Sequence, residues 1–88
     1  MTQAPSETSI SASDVRDILA AHIGVQVDVY SFGEDQDLYS AGLTSLSTVG
    51  LMLALEDRFD VEFPDSMLGR ATFRSIASIV EAIAKLSK

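Results

Sequence analysis

The stretch Ser45–Phe59, SLSTVGLMLALEDRF, places apolar residues on two sides of one helix, and its reading decides how the chain folds. At about 100° per residue, Thr48, Leu51, Met52, Leu55 and Phe59 fall on one side. That is the stripe a core requires. Leu46, Val49 and Leu53 fall on the far side at offsets of three and four, with Gly50 and Asp57 beside them. A thin bundle cannot bury both sides. The second stripe is either an exposed contact surface with an acidic margin or is covered by folded-back loop residues, and periodicity alone leaves both open. Gly50 inside the helix costs roughly 1 kcal/mol relative to alanine. Close approach of a partner to the backbone and tolerated drift both account for it.

Working outward toward the C-terminus, Pro64–Gly69 has room for a single short turn of helix. A last helix is expected over Phe73–Leu86, started by Thr72 and carrying Lys85 and Lys88 at its negative end. Its core face is Phe73, Ile76, Ile79, Val80, Ile83 and Leu86. Toward the N-terminus, Ser11-Ala12-Ser13-Asp14 has capping-box spacing, and Val15, Ile18, Leu19, His22 and Ile23 recur at helical spacing up to Gly24. From Val25 to Thr44 no helical period is sustained. Val25, Val27 and Val29 alternate as a strand would, but no second strand exists to pair with them. The expected fold is therefore all-α, with three main helices plus one short helix and a long loop after the first. A loop of about twenty residues is unusual in a compact domain unless it has a function. Residues 1–10 are expected to be a disordered polar lead-in, and residues 11–88 one domain.

Composition narrows the function. With 88 residues, 47% hydrophobic and 22% charged, the chain belongs to the soluble globular class. A formal charge of −7 argues against nucleic acid, whose affinity comes from lysine and arginine displacing counterions, and favours partners with basic patches. There is no cysteine, so any thioester chemistry would need a borrowed sulfur. Met1–Ser9 lacks the basic start and apolar run of a signal peptide or membrane span, and a cytoplasmic protein without membrane association is expected.

The run Asp37-Leu38-Tyr39-Ser40-Ala41-Gly42-Leu43-Thr44-Ser45-Leu46 delivers a serine to the mouth of the apolar helix, and Leu55-Glu56-Asp57-Arg58-Phe59-Asp60-Val61-Glu62-Phe63-Pro64-Asp65 follows in register. Over about Leu38 to Ile83 the chain resembles the acyl and peptidyl carrier proteins. The resemblance implies that Ser45 is esterified with phosphopantetheine from coenzyme A. Its thiol would carry cargo as a thioester between enzymes docked on the helix. It implies a docking face of Thr44, Leu46, Val49, Gly50, Leu53, Glu56 and Asp57. The implied partners of a monomeric carrier are a phosphopantetheinyl transferase, a ligase or acyltransferase that loads the thiol, and a downstream acceptor enzyme. Fatty-acid carriers commonly have acids where this chain has Thr44, Ser47 and Gly50, and an aliphatic residue where it has Phe63. The stretch from Asp37 through Pro64 to Ile76 is similar to discrete carriers charged with an amino acid. A small or amino-acid cargo is expected, with Phe59, Phe63 and Phe73 filling the interior that a long chain would need. The alternatives are a fatty-acid or polyketide carrier, or an unmodified helical adaptor.

Other chemistries fit poorly. Ser45 on its own reads as a helix N-cap, a role compatible with modification, since an anion there would lie near the positive helix end. His22 is the only histidine and sits near an apolar face, so it reads as packing, and Ser45 lacks the Gly-x-Ser-x-Gly context of a hydrolase. No catalytic residue is expected. Glu34, Asp35 and Asp37 invite a calcium reading, but a loop from Asp35 would place Ser40 where glycine is required and Leu46 where the bidentate acid belongs. They read as a solvated loop face, and no metal site is expected.

Overall fold

The computed structural model describes residues 12–24 and 27–86. The expected lead-in over 1–10, the Ser11 end of the first capping box, Val25 and Lys88 lie outside the described residues. Four α-helices follow in order: α1 Ala12–Ile23, α2 Leu38–Ala41, α3 Ser45–Phe59 and α4 Ile76–Leu86. Single 3₁₀ turns lie at Val29–Ser31 and Asp65–Met67. The all-α bundle expected from the sequence is what the chain forms, and no strand occurs among the described residues.

One core holds the bundle together, and α1 packs against both α3 and α4. α1 contributes Val15, Leu19 and Ile23; α3 contributes Leu51 and Leu55; α4 contributes Ile76, Ile79, Ala82 and Ile83. Thr48, Met52 and Phe59, the rest of the expected α3 core stripe, are only half-buried, because they sit at its margins. Gly24 ends α1 with φ 129°, a backbone angle that glycine adopts without the steric cost other residues meet. At the other end of α3 the left-handed position is taken by Asp60, φ 56°.

The long connection between α1 and α3 is tied down at several points. Arg16 of α1 donates to the carbonyls of Val29 (2.8 Å) and Phe32 (2.7 Å), and the Tyr30 hydroxyl donates to Asp17 (2.6 Å). Further on, the Leu38 amide donates to the Arg74 carbonyl (2.7 Å), and the Ala77 amide donates to the Glu34 carbonyl (2.9 Å). Val29, Leu38 and Leu43 enter the core, so the loop is part of the fold.

Two expectations need correction. The connection contains a turn of helix, α2, that no periodicity announced, since four residues are too few to show a period. Its signal is Asp37, whose carboxylate accepts from the Tyr39 and Ser40 amides. Asp37 is thus a cap and not merely part of a solvated acidic face. The second correction moves the start of the last helix from Phe73 to Ile76. Ser75 caps it: the Ser78 amide donates to Ser75 Oγ (3.1 Å), and the Ser75 amide donates to Ser78 Oγ (3.0 Å). Phe73 is buried in the preceding turn, where it meets Phe63 edge-on with ring centroids 5.3 Å apart.

Candidate functional site

The head of α3 is built by a reciprocal hydroxyl pair. Thr44 Oγ1 accepts from the Ser47 amide (3.0 Å), and Ser47 Oγ accepts from the Thr44 amide (3.0 Å). The N-cap is therefore Thr44, one position before the expected cap, and Ser45 is the first helical residue. This shift matters chemically. A capping serine has its oxygen engaged by the backbone, whereas the Ser45 hydroxyl is exposed and takes no hydrogen bond among the described residues. The amides of the first helical turn find no intrahelical acceptor, so Ser45 and Leu46 leave free donors beside that hydroxyl.

What precedes the serine fixes where it emerges. Leu38 and Leu43 are both buried, and the Leu43 amide donates back to the Leu38 carbonyl (2.9 Å). Between them the chain turns at Gly42, φ 133°, which a side chain would strain. Asp37, at the far end of this turn, has its carboxyl held below the ordinary carboxylate value. Partial desolvation pushes the other way, but the Ser40 and Tyr39 amides, the Ser40 hydroxyl and the Arg74 charge outweigh it. The first turn of α3 contains no acidic residue. An anion placed at that helix head would meet no carboxylate from this turn.

Beside Ser45 an open cleft of about 260 Å³ is lined by Tyr39, Thr48, Val49, Met52, Leu68, Arg70 and Phe73. Arg70 is its only charged residue among those described, and the guanidinium carbon lies 3.9 Å from the centre of the Tyr39 ring. On the outer face of α3, Leu46 is 83% exposed, Val49 52% and Leu53 55%. Among the described residues no loop covers this stripe, so the covered alternative does not hold there. Thr44 and Asp57 are also exposed.

Two residues of the expected docking face also have roles inside the molecule. Glu56 accepts from the Phe63 amide (2.8 Å) and so fastens the chain leaving α3. Gly50 faces α1: a Cβ there would stand 3.1 Å from His22 Cδ2. His22 itself is half-buried, with Nδ1 3.0 Å from the Ile18 carbonyl. The glycine thus makes room for an imidazole, a reason that one helix read alone could not supply. Among the described residues, no group of three or more His, Cys, Asp or Glu is placed to hold a metal ion.

The residues present suit a covalently attached phosphopantetheine. The hydroxyl is free, the helix head is uncharged, amide donors flank it and a cleft adjoins it. A small helical bundle with one such hydroxyl at the head of an amphipathic helix has the architecture of a carrier domain. Residues 13–83 match the family described as "Phosphopantetheine attachment site", and the chain belongs to that family. It is 42% identical over 69 residues to the aminoacyl carrier protein of Agrobacterium fabrum, covering 78% of this chain and 83% of that protein. It is 43% identical over 53 residues to the D-alanyl carrier protein of Streptococcus sanguinis, covering 59% and 67%. It also superposes, with a TM-score of 0.78 and 40% identity, on a chain in the crystal structure of an engineered Bradyrhizobium japonicum glycine:[carrier protein] ligase complexed with a carrier protein from Agrobacterium tumefaciens and AMP. That match covers 83% of this chain and 97% of the other.

Proposed function

We propose that this protein carries an aminoacyl or other small acyl group as a thioester on a phosphopantetheine arm esterified to Ser45. The observation that carries the reading is the free, exposed Ser45 hydroxyl at the head of α3, one residue past a cap that satisfies itself. The arm supplies the thiol that this cysteine-free chain lacks. The protein supplies a fixed attachment point and the Leu46–Val49–Leu53 stripe for docking. It is a shuttle without catalytic groups of its own, acting as a cytoplasmic monomer. A phosphopantetheinyl transferase, a synthetase-like ligase and an acceptor enzyme visit it in turn.

Two things support a small cargo. Phe63 and Phe73 are buried against each other in the interior that a long chain would have to enter, and Phe59, half-buried, packs at the margin of that core. Close-packed interiors accept added volume only with strain. The resemblance to a carrier crystallised with a glycine ligase points the same way. The reading is tested by incubating the chain with coenzyme A and a transferase, then mapping the mass increase by peptide analysis. Modification at Ser45, abolished in a folded Ser45→Ala variant, is expected; another site, or none, overturns it. A long saturated chain on protein isolated from its host would refute the cargo and leave the carrier role standing.

A further inference from the structure

Resting on that reading, we propose that Arg70 is a positioning residue that binds the phosphodiester at the root of the arm and so sets the direction in which the arm leaves Ser45. Four observations carry this. Arg70 and Ser45 line the same cleft, and Arg70 is its only charged residue among those described. The guanidinium lies over the face of Tyr39 at 3.9 Å, a contact that holds it beside the cleft before any anion arrives. Its N–H donors have no acceptor among the described residues. The other three arginines are otherwise engaged: Arg16 on the Val29 and Phe32 carbonyls, Arg58 on Asp14 at 3.1 Å, and Arg74 beside Asp37.

A phosphodiester has two non-bridging oxygens sharing one negative charge, and the planar fork of a guanidinium matches two such acceptors. On a chain of net charge −7 a further anion is disfavoured by the overall field, so a local cation beside the ester has a definite electrostatic role. The stack on Tyr39 lowers the ordering cost of that contact, because the side chain is already held. No bond is made or broken by Arg70. It acts on the arm after the transferase has finished.

The test compares the full chain before and after modification, with arginine side chains followed by nitrogen-15 NMR and the arm by phosphorus-31 NMR. On modification the Arg70 Nε–H signal should shift and exchange with water severalfold more slowly, while those of Arg16 and Arg58 hold still. The phosphorus resonance should move in Arg70→Gln, return part of the way in Arg70→Lys, and stay put in an Arg74→Gln control. Higher salt should shrink the difference, as an exposed ion pair requires. An unchanged phosphorus resonance in Arg70→Gln, with Ser45 fully modified, overturns this inference alone. If that variant instead only slows loading by a partner enzyme, Arg70 is a docking residue and the proposal fails. Absence of modification at Ser45 overturns both this and the carrier reading.

Discussion

Replacing Leu55 and Leu53, two residues apart on α3, separates the internal side of that helix from its external one. Leu55 is 0% exposed, whereas Leu53 is 55% exposed. Truncating a buried leucine to alanine costs about 2–5 kcal/mol, the transfer of its methyl groups plus the cavity left behind. A chain this size has a total stability of about 4–13 kcal/mol. Leu55→Ala should therefore lower the urea midpoint by about 2–5 M for a slope near 1 kcal/mol/M. Leu55→Asp adds an unpaired buried carboxylate, which should leave no folded population. At Leu53 less than half of a leucine's transfer energy of about 1.5–3 kcal/mol is at stake, so Leu53→Asp should cost about 1 kcal/mol or less. Its effect should appear as slower modification of Ser45 by the transferase at low carrier concentration. The assays are urea titrations followed by circular dichroism and a mass-resolved modification time course. If Leu53→Asp unfolds the protein as readily as Leu55→Asp, or modifies at the wild-type rate, the division of α3 into core and docking sides is wrong.

Asp37 predicts a pH dependence: its folded pKa lies below the unfolded value near 3.9, so its stabilising contribution is complete above about pH 4 and disappears as pH falls through the folded pKa. The stability difference between wild type and Asp37→Asn, measured by urea titration from pH 7 downward, should close over that acid window; a difference independent of pH refutes the charged cap. Gly50→Ala gains up to about 1 kcal/mol of helix propensity but brings a Cβ to 3.1 Å from His22 Cδ2. The substitution should stabilise the protein more in a His22→Ala background than in the wild type, and equal effects in the two backgrounds would show that the ring and the glycine are not coupled.

The bundle was legible because α1, α3 and α4 each carry a core stripe, and those periods survive in a single sequence. The outer stripe of α3 was legible for the same reason, since Leu46, Val49 and Leu53 are more apolar than a purely solvated face requires. Features set by one or two hydrogen bonds were not. Thr44 and Ser45 are both good caps, and the choice between them is made by Ser47, which at the third helical position replaces the glutamate or glutamine of the usual capping box. Ser75 and Ser78 repeat that substitution at α4, and there the helix itself begins later than the expected cap Thr72 would place it. The turn of α2, the carbonyl anchors of Arg16 and the contact of His22 with Gly50 all depend on partners distant in sequence. Arg70 beside Tyr39 is of the same kind, joining residues on either side of α3.

The two serine-based capping pairs look alike but have different consequences. At α4 the pair lies in a half-buried setting, and the Ser78 hydroxyl also reaches the Thr72 carbonyl (2.9 Å), so it locks the buried Phe73 turn onto the helix. At α3 the pair is at the surface, and neither hydroxyl reaches a distant carbonyl among the described residues. A glutamate at the third position of α3 would cap as well and would favour the helix dipole. It would also set a carboxylate two residues from the hydroxyl proposed to take the phosphodiester, and like charges this close repel even in water. Serine at position 47 keeps the hydrogen bonds and omits the charge. Asp37, the nearest acid before the site, is occupied by the α2 amides. The acids Glu56 and Asp57 lie three turns further along α3, about 16 Å by helix rise. Negative charge can therefore mark the distal part of the proposed docking surface while the proposed attachment site stays neutral, with Arg70 the one charged side chain among the described residues of the adjoining cleft.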